Sequence, residues 1–282
     1  MSGPGPMWGK VVLITGANSG IGKATAAGVA RMGATVVMAC RDKERGATAA
    51  AEVRSTSGNP AIFSMQLDLA SQASVREFAQ KFSLRFQRLE VLINNAGVKP
   101  TKREFTKDKI VTTFAVNYLS HFLLTNLLLG KLRASTPSRI VNVTCSAHVG
   151  AHIGFRNLQM KRGYKQDKAY AQSKLAMALF TYELARRLQG TGVTANCVEP
   201  GDTETNLGPQ GQGILGAITK LLGSSVATPE EGAETSIYLA SSPALVSVSG
   251  KCFAKKAEQA SSAESYDEDD AKRLWKESVK LA

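Results

Sequence analysis

The sequence predicts an α/β protein: a single domain built on a doubly wound, parallel, seven-stranded sheet with helices on both faces. Three observations lead there. Short β-branched runs alternate with longer helical patterns almost to the end of the 282 residues, and repeated strand–helix units fold through right-handed crossovers into one sheet. The runs are apolar at successive positions, as strands covered on both faces are. No repeat or linker divides the chain, whose length suffices for one large core.

The expected strands are 10–15 (KVVLIT), 34–40 (ATVVMAC), 61–68 (AIFSMQLD), 89–95 (LEVLINN), 138–145 (SRIVNVTC), 192–199 (GVTANCVE) and 247–254 (SVSGKCFA). Helical patterns fill the gaps, among them 74–86 and 169–188. Residues 1–8 are expected to be flexible, and 264–282 to form a C-terminal helix with acids at its start, complementing the helix dipole, and Leu274, Trp275 and Val279 on one side. Segment 201–229 interrupts the rhythm. Its Ile214, Leu215, Ile218, Leu221 and Leu222 fall on one helical face. Two readings stand: a structural helix packed on the core, or a lid over an apolar substrate, flanked by glycines that let it move.

Composition narrows the function. No apolar run approaches the roughly 20 residues that cross a bilayer, and the start MSGPGPMWGK lacks an apolar signal core. The expectation is therefore a cytoplasmic protein, with peripheral membrane contact left open. Cys40, Cys145, Cys197 and Cys252 are scattered without a CxxC pair, which favours independent thiols over disulfides, and no metal site is expected. The net charge of +12 gathers at 99–109 and 156–168. Such charge fits a solvated surface or attraction of an anionic cofactor or membrane; no nucleic-acid motif accompanies it, so no nucleic-acid partner is expected.

Directly after the first strand, TGANSGIG opens a helix. Glycines at 16, 20 and 22 permit a tight turn and close approach of backbone to a pyrophosphate, whose charge the helix N-terminus favours. Gly16, Asn18, Ser19, Gly20, Ile21 and Gly22 are thus candidate dinucleotide contacts in a Rossmann fold. An NAD site places an acid at the end of the second strand, whereas a 2′-phosphate needs a cation. Here Cys40 takes the acid position and Arg41 follows, while Asp42 reads as a helix cap. NADP(H) is the expected cofactor. Asp68 and Leu69, and Asn95, Ala96 and Gly97, lie at the carboxyl ends of the next strands, where ligands bind in such sheets.

Tyr170 and Lys174 stand four residues apart on one helical face. A tyrosine with its ordinary pKa of about 10 is a poor acid or base at neutral pH. A neighbouring ammonium lowers that pKa, and the pair can exchange a proton with a substrate oxygen.

The ordered motifs TGANSGIG, NNAG, NYLSHFLLT, YAQSK and EPG resemble the short-chain dehydrogenase/reductase family from about residue 9 to the C-terminus. ACRD, LDLAS, SKLA and the final RLW are similar to its retinol dehydrogenase-like branch. The resemblance implies an NADP(H)-dependent oxidoreductase acting on a lipophilic carbonyl or alcohol. It makes Tyr170 the acid/base, Lys174 the group that holds the nicotinamide ribose and lowers the tyrosine pKa, and Asn117 a water-positioning residue. It adds Pro200, Gly201, Thr203 and Thr205 as contacts of the nicotinamide half, and a homodimer as the frequent assembly. His148 belongs to the branch's usual AH and reads as structural. The branch's catalytic serine falls on Cys145, 25 residues before Tyr170, with Ser146 next to it. A thiol is the weaker donor. Three readings remain: a slow enzyme, Ser146 in the serine's role, or a catalytically weakened NADP(H)-binding interaction protein. A general carbonyl, steroid or polyprenoid reductase is the alternative within enzymes.

Overall fold

The computed structural model describes residues 5–201 and 228–282. Strands β1 (Val11–Thr15), β2 (Thr35–Cys40), β3 (Ile62–Gln66), β4 (Val91–Asn94), β5 (Ser138–Val143), β6 (Val193–Val198), β7 (Cys252–Ala254) and β8 (Ala257–Gln259) form one sheet in the order β3-β2-β1-β4-β5-β6-β7-β8. All neighbours pair in parallel except β7 and β8. The sheet therefore has eight strands among the described residues rather than seven. Lys255 and Lys256 turn the final hairpin at φ 48° and 62°, a left-handed conformation usually signalled by Gly or Asn; two lysines gave no such sign. The seventh strand starts at Cys252, not at 247, because the preceding chain bends at Gly250, φ 72°.

Helices α1 (Gly20–Arg31), α2 (Lys43–Ser57) and α7 (Pro229–Ser241) cover one face; α3 (Gln72–Arg85), α5 (Ser120–Ala134), α6 (Gln166–Arg187) and α8 (Glu268–Leu281) cover the other. Helix α4 (Thr112–Phe114) runs into α5 through a π-helical turn, Ala115–Leu119. Both faces of β1, β2, β4, β5 and β6 are buried. Val12 and Ile14 pack beneath α1 and α7, while Leu13 between them packs on the other side. Each such side chain contributes about 1.5–3 kcal/mol when taken out of water, which is why β1 and β2 are apolar at successive positions.

Two local expectations need correction. Residues 5–8 lie within the stretch expected to be flexible, yet Met7 is buried and its N–H donates to the Met32 carbonyl at 2.9 Å. On α8, Leu274 is buried but Val279 is exposed. Ser278 takes the inward position and shares a 2.6 Å hydrogen bond with the Tyr118 hydroxyl. Asp267 caps α8 by accepting from the Asp270 N–H, and three acids follow in its first turn. Thr203, Thr205, nearly all of the expected lid and its apolar stripe lie outside the described residues.

The order reverses between β1 and β4, since crossovers from β1 run outward through β2 and β3 and the chain then returns beside β1. Open α/β sheets bind ligands in the crevice beyond the carboxyl ends of the strands at such a reversal, which marks this edge as the expected site.

Candidate active site

The first wall of the crevice is the turn after β1. Gly16 has φ 66° and Gly20 φ 52°, a region costly for side-chain-bearing residues. A Cβ on Gly16 would lie 2.9 Å from Ala96, and one on Gly22 would lie 2.4 Å from the Gly16 carbonyl oxygen and 2.5 Å from Asn95 Nδ2. Asn95 clamps the turn: its Nδ2 donates to the Thr15 carbonyl at 2.9 Å. Beyond the turn, α1 begins with its Ser19 hydroxyl making no cap and no acid in its first turn. The N–H groups of a twelve-residue helix thus face the crevice beside Asn18, Ser19 and Ile21, an environment that fits the pyrophosphate of a dinucleotide.

At the end of β2, Cys40 is buried, and burial pushes its thiol up to about 11. Arg41 next to it is exposed and has no carboxylate partner among the described residues. Asp42 does cap α2, accepting from the Arg45 N–H at 2.8 Å. Asp68 follows β3 and accepts from the Ala70 N–H at 2.9 Å, while the Leu69 carbonyl accepts from the Ser120 hydroxyl at 2.6 Å. Ala96 and Gly97 continue from Asn95 along the crevice. Asn94, by contrast, is buried in a polar ladder, donating to Thr125 and Asn142.

The second wall carries the proton-transfer candidates. Tyr170 and Lys174 face the end of β5 from α6. Cys145 Sγ donates to the Tyr170 hydroxyl at 3.7 Å. Ser146, one residue on, is exposed and opens a short 3-10 turn, Ser146–His148. Strand alternation explains the difference: Thr144 turns inward, its hydroxyl bonded to the Lys174 carbonyl at 3.1 Å, so Cys145 turns toward the crevice. Lys174 is buried, donates to the Val143 carbonyl at 3.1 Å, and has Nζ 5.6 Å from the Tyr170 ring centroid. Burial pushes the Tyr170 phenol up, reinforced by the Cys145 thiol, and burial lowers Lys174. The expected lowering of the tyrosine by its lysine is overridden here by desolvation.

Asn117 sits in the π-helical turn. Its Oδ1 accepts from the Val98 N–H at 2.7 Å, and its Nδ2 donates to the Val98 carbonyl and the Ser173 hydroxyl at 2.9 and 3.0 Å. The side chain is thus committed to protein groups. Two histidines complete the scaffold. His148 is buried, with Nδ1 2.6 Å from the Cys145 carbonyl and Nε2 accepting from the Ser262 N–H at 3.2 Å. This fits the structural role expected of it. His121 gave no signal in the sequence. It is buried with Nε2 2.9 Å from the Thr15 hydroxyl and Nδ1 3.5 Å from the Asn117 carbonyl. Because Thr15 Oγ1 already accepts from the Asn95 and Ala96 N–H groups, its proton goes to Nε2, which fixes Nδ1–H toward Asn117. Burial lowers His121 to about 3. Pro200 and Gly201, φ 80°, follow β6 at the same edge of the sheet.

Comparison with known proteins gives this constellation its kin. A family model described as short chain dehydrogenase matches residues 10–212. The human retinol dehydrogenase 13 is 48% identical over 283 residues, covering 97% of this chain and 84% of that protein. The human retinol dehydrogenase 14 is 46% identical over 290 residues, with 96% and 86% covered. A crystal structure of a putative uncharacterized protein from Mycobacterium Paratuberculosis superposes with a TM-score of 0.81 at 33% identity, covering 98% of this chain and 94% of that one. The chain belongs to the short-chain dehydrogenase family and is an oxidoreductase of alcohol and carbonyl groups that works with a nicotinamide cofactor.

Proposed function

We propose that the chain is an NADP(H)-dependent oxidoreductase of lipophilic carbonyls and alcohols, with a retinoid as the leading substrate class. The observation that carries the reading is the Tyr170 hydroxyl, held by Cys145 at 3.7 Å beside a buried Lys174, at the same sheet edge as the glycine turn. The retinoid class rests on the names of the relatives described above.

The residues present fit the cofactor: Gly16 and Gly22 let the turn pack tightly against Ala96 and Asn95, a Cβ on Gly20 would meet nothing within 4 Å, and α1 offers uncapped N–H groups. Gly16 to Gly22 would hold the pyrophosphate, Asn95 to Gly97 would flank the ring half, and Pro200 and Gly201 would close on it. Arg41 would meet the 2′-phosphate, because Cys40 offers no carboxylate and Asp42 is spent on its helix. When bound, NADP(H) supplies hydride exchange at the nicotinamide ring.

The chain's own groups then handle the proton. Tyr170, whose phenol burial pushes up, gives its proton to the carbonyl oxygen as the alcohol forms, and in the reverse direction the phenolate takes that proton back. Lys174 holds the tyrosine's surroundings cationic, and Cys145 supplies a thiol donor where a hydroxyl would be stronger. A catalytically weakened enzyme is the second reading, favoured by the long thiol contact of Cys145.

The whole chain, 1–282, would act as one domain, with 201–229 as the substrate lid and 264–282 as the closing helix. NADPH oxidation against retinal and a panel of ketones and aldehydes tests the reading. Turnover of retinal or another lipophilic carbonyl, with NADPH preferred over NADH, is expected. Tight NADPH binding without turnover of any substrate, unrestored by Cys145→Ser, would replace it with an NADP(H)-binding interaction protein.

A further inference from the structure

The two basic runs of the sequence lie 47 or more residues apart in the chain, yet they form one surface. Arg103 donates to the Met160 and Lys161 carbonyls, the Tyr164 hydroxyl to the Pro100 carbonyl at 3.3 Å, and Gln166 Nε2 to the Lys99 carbonyl at 2.9 Å. Segments 99–109 and 156–168 together hold ten Lys/Arg against three Asp/Glu, so they carry seven of the chain's twelve net charges. Lys99 alone of the ten has a carboxylate partner among the described residues, Asp167 at 2.7 Å. A second acid is spent elsewhere, since Asp108 accepts from the Gln72 N–H at 2.8 Å. Lys102, Arg103, Lys161, Arg162 and Lys165 are exposed. A cluster of like charges with so few counterions raises its own repulsion; an anionic partner removes that cost.

The position of the surface says what it serves. It begins at the candidate site, with Lys99 Nζ 5.4 Å from the Tyr170 ring centroid. Within it, Phe105 is 49% exposed, with the Arg103 guanidinium 5.2 Å from its ring centroid. One exposed aromatic among many cations suits shallow insertion at a headgroup boundary. A single-strand nucleic-acid groove carries a series of stacking aromatics instead.

We infer that segments 99–109 and 156–168 form a docking surface for anionic phospholipid membranes, which brings the mouth of the active site against the bilayer that holds a lipophilic substrate. The delivery role rests on the function proposed above; the docking does not. Cationic headgroup contacts attract, Phe105 inserts, and the association weakens as salt rises.

Flotation of the full chain with phosphatidylcholine vesicles, with and without phosphatidylserine, tests this. Binding is expected only with phosphatidylserine, and falls as salt is raised. The combined variant Lys102→Glu, Lys161→Glu, Arg162→Glu and Lys165→Glu should lose at least about a thousandfold in partition, and Phe105→Ser about tenfold. NADPH titration and turnover in detergent should stay at wild-type level in the combined variant, showing it folded. Equal binding to neutral vesicles, unchanged partition of the variant, or binding to RNA but not to vesicles would overturn the docking surface. Docking as expected, in a protein that turns over no lipophilic carbonyl, would overturn the delivery role and the proposed function while leaving the surface.

Discussion

The Cys145 thiol donates to the Tyr170 hydroxyl at 3.7 Å, and the neighbouring Ser146 is an exposed residue of a short turn. A removed oxyanion-type donor costs on the order of a hundredfold to a thousandfold in kcat, and a thiol replaces only part of a hydroxyl. Cys145→Ser should therefore raise kcat by about tenfold with NADPH affinity unchanged, whereas Ser146→Ala should leave kcat within about twofold. Steady-state NADPH oxidation by both variants checks this; a tenfold loss in Ser146→Ala would put the donor at the wrong residue.

His121 makes stability depend on pH. Its folded value lies at about 3, below its ordinary 6.5. The unfolded chain thus binds the extra proton between these values, and stability falls as pH drops through that window, by roughly 1.4 kcal/mol per unit at the steepest. Thermal melts of wild type between pH 7 and 4 should show a slope that His121→Gln flattens. Parallel curves would show that another group governs the acid limb.

Arg41 stands where a 2′-phosphate is read, with Cys40 buried behind it and Asp42 engaged at the start of α2. Arg41→Asp should shift the ratio of kcat/KM for NADPH over NADH toward NADH by on the order of a hundredfold, the effect of losing a charge-assisted pair and adding a repulsion. Unchanged selectivity would move phosphate recognition elsewhere.

Gly22→Ala puts a Cβ 2.4 Å from the Gly16 carbonyl and 2.5 Å from the Asn95 amide. Both neighbours are held by the turn, so neither yields cheaply. The variant should lose about 1–3 kcal/mol in stability and bind NADPH at least tenfold more weakly. Denaturant unfolding and fluorescence titration measure the two losses.

Much of the fold was legible because parallel strands buried on both faces are rich in apolar residues, as β1 and β2 are, although β5 and β6 are just as buried and carry Arg139, Asn142, Thr194 and Asn196. The final hairpin was not, since Lys255 and Lys256 adopt a backbone that their side chains do not advertise. In the site, the glycine turn and the Tyr170–Lys174 pair could be read from spacing. The balance of forces on Tyr170 could not: sequence spacing shows a cation one turn away, but only burial in three dimensions decides that desolvation outweighs it. His121 was missed for a related reason. A lone histidine in an apolar helix has no signature, and its meeting with Thr15, 106 residues away, arises from packing alone.

The most direct measurement is turnover of retinal by Tyr170→Phe beside its NADPH affinity. The phenol is the only group here assigned to move the proton, so kcat should fall by at least about a hundredfold while the NADPH dissociation constant stays within twofold. Turnover within a few-fold of wild type, with the cofactor bound as before, would contradict the account.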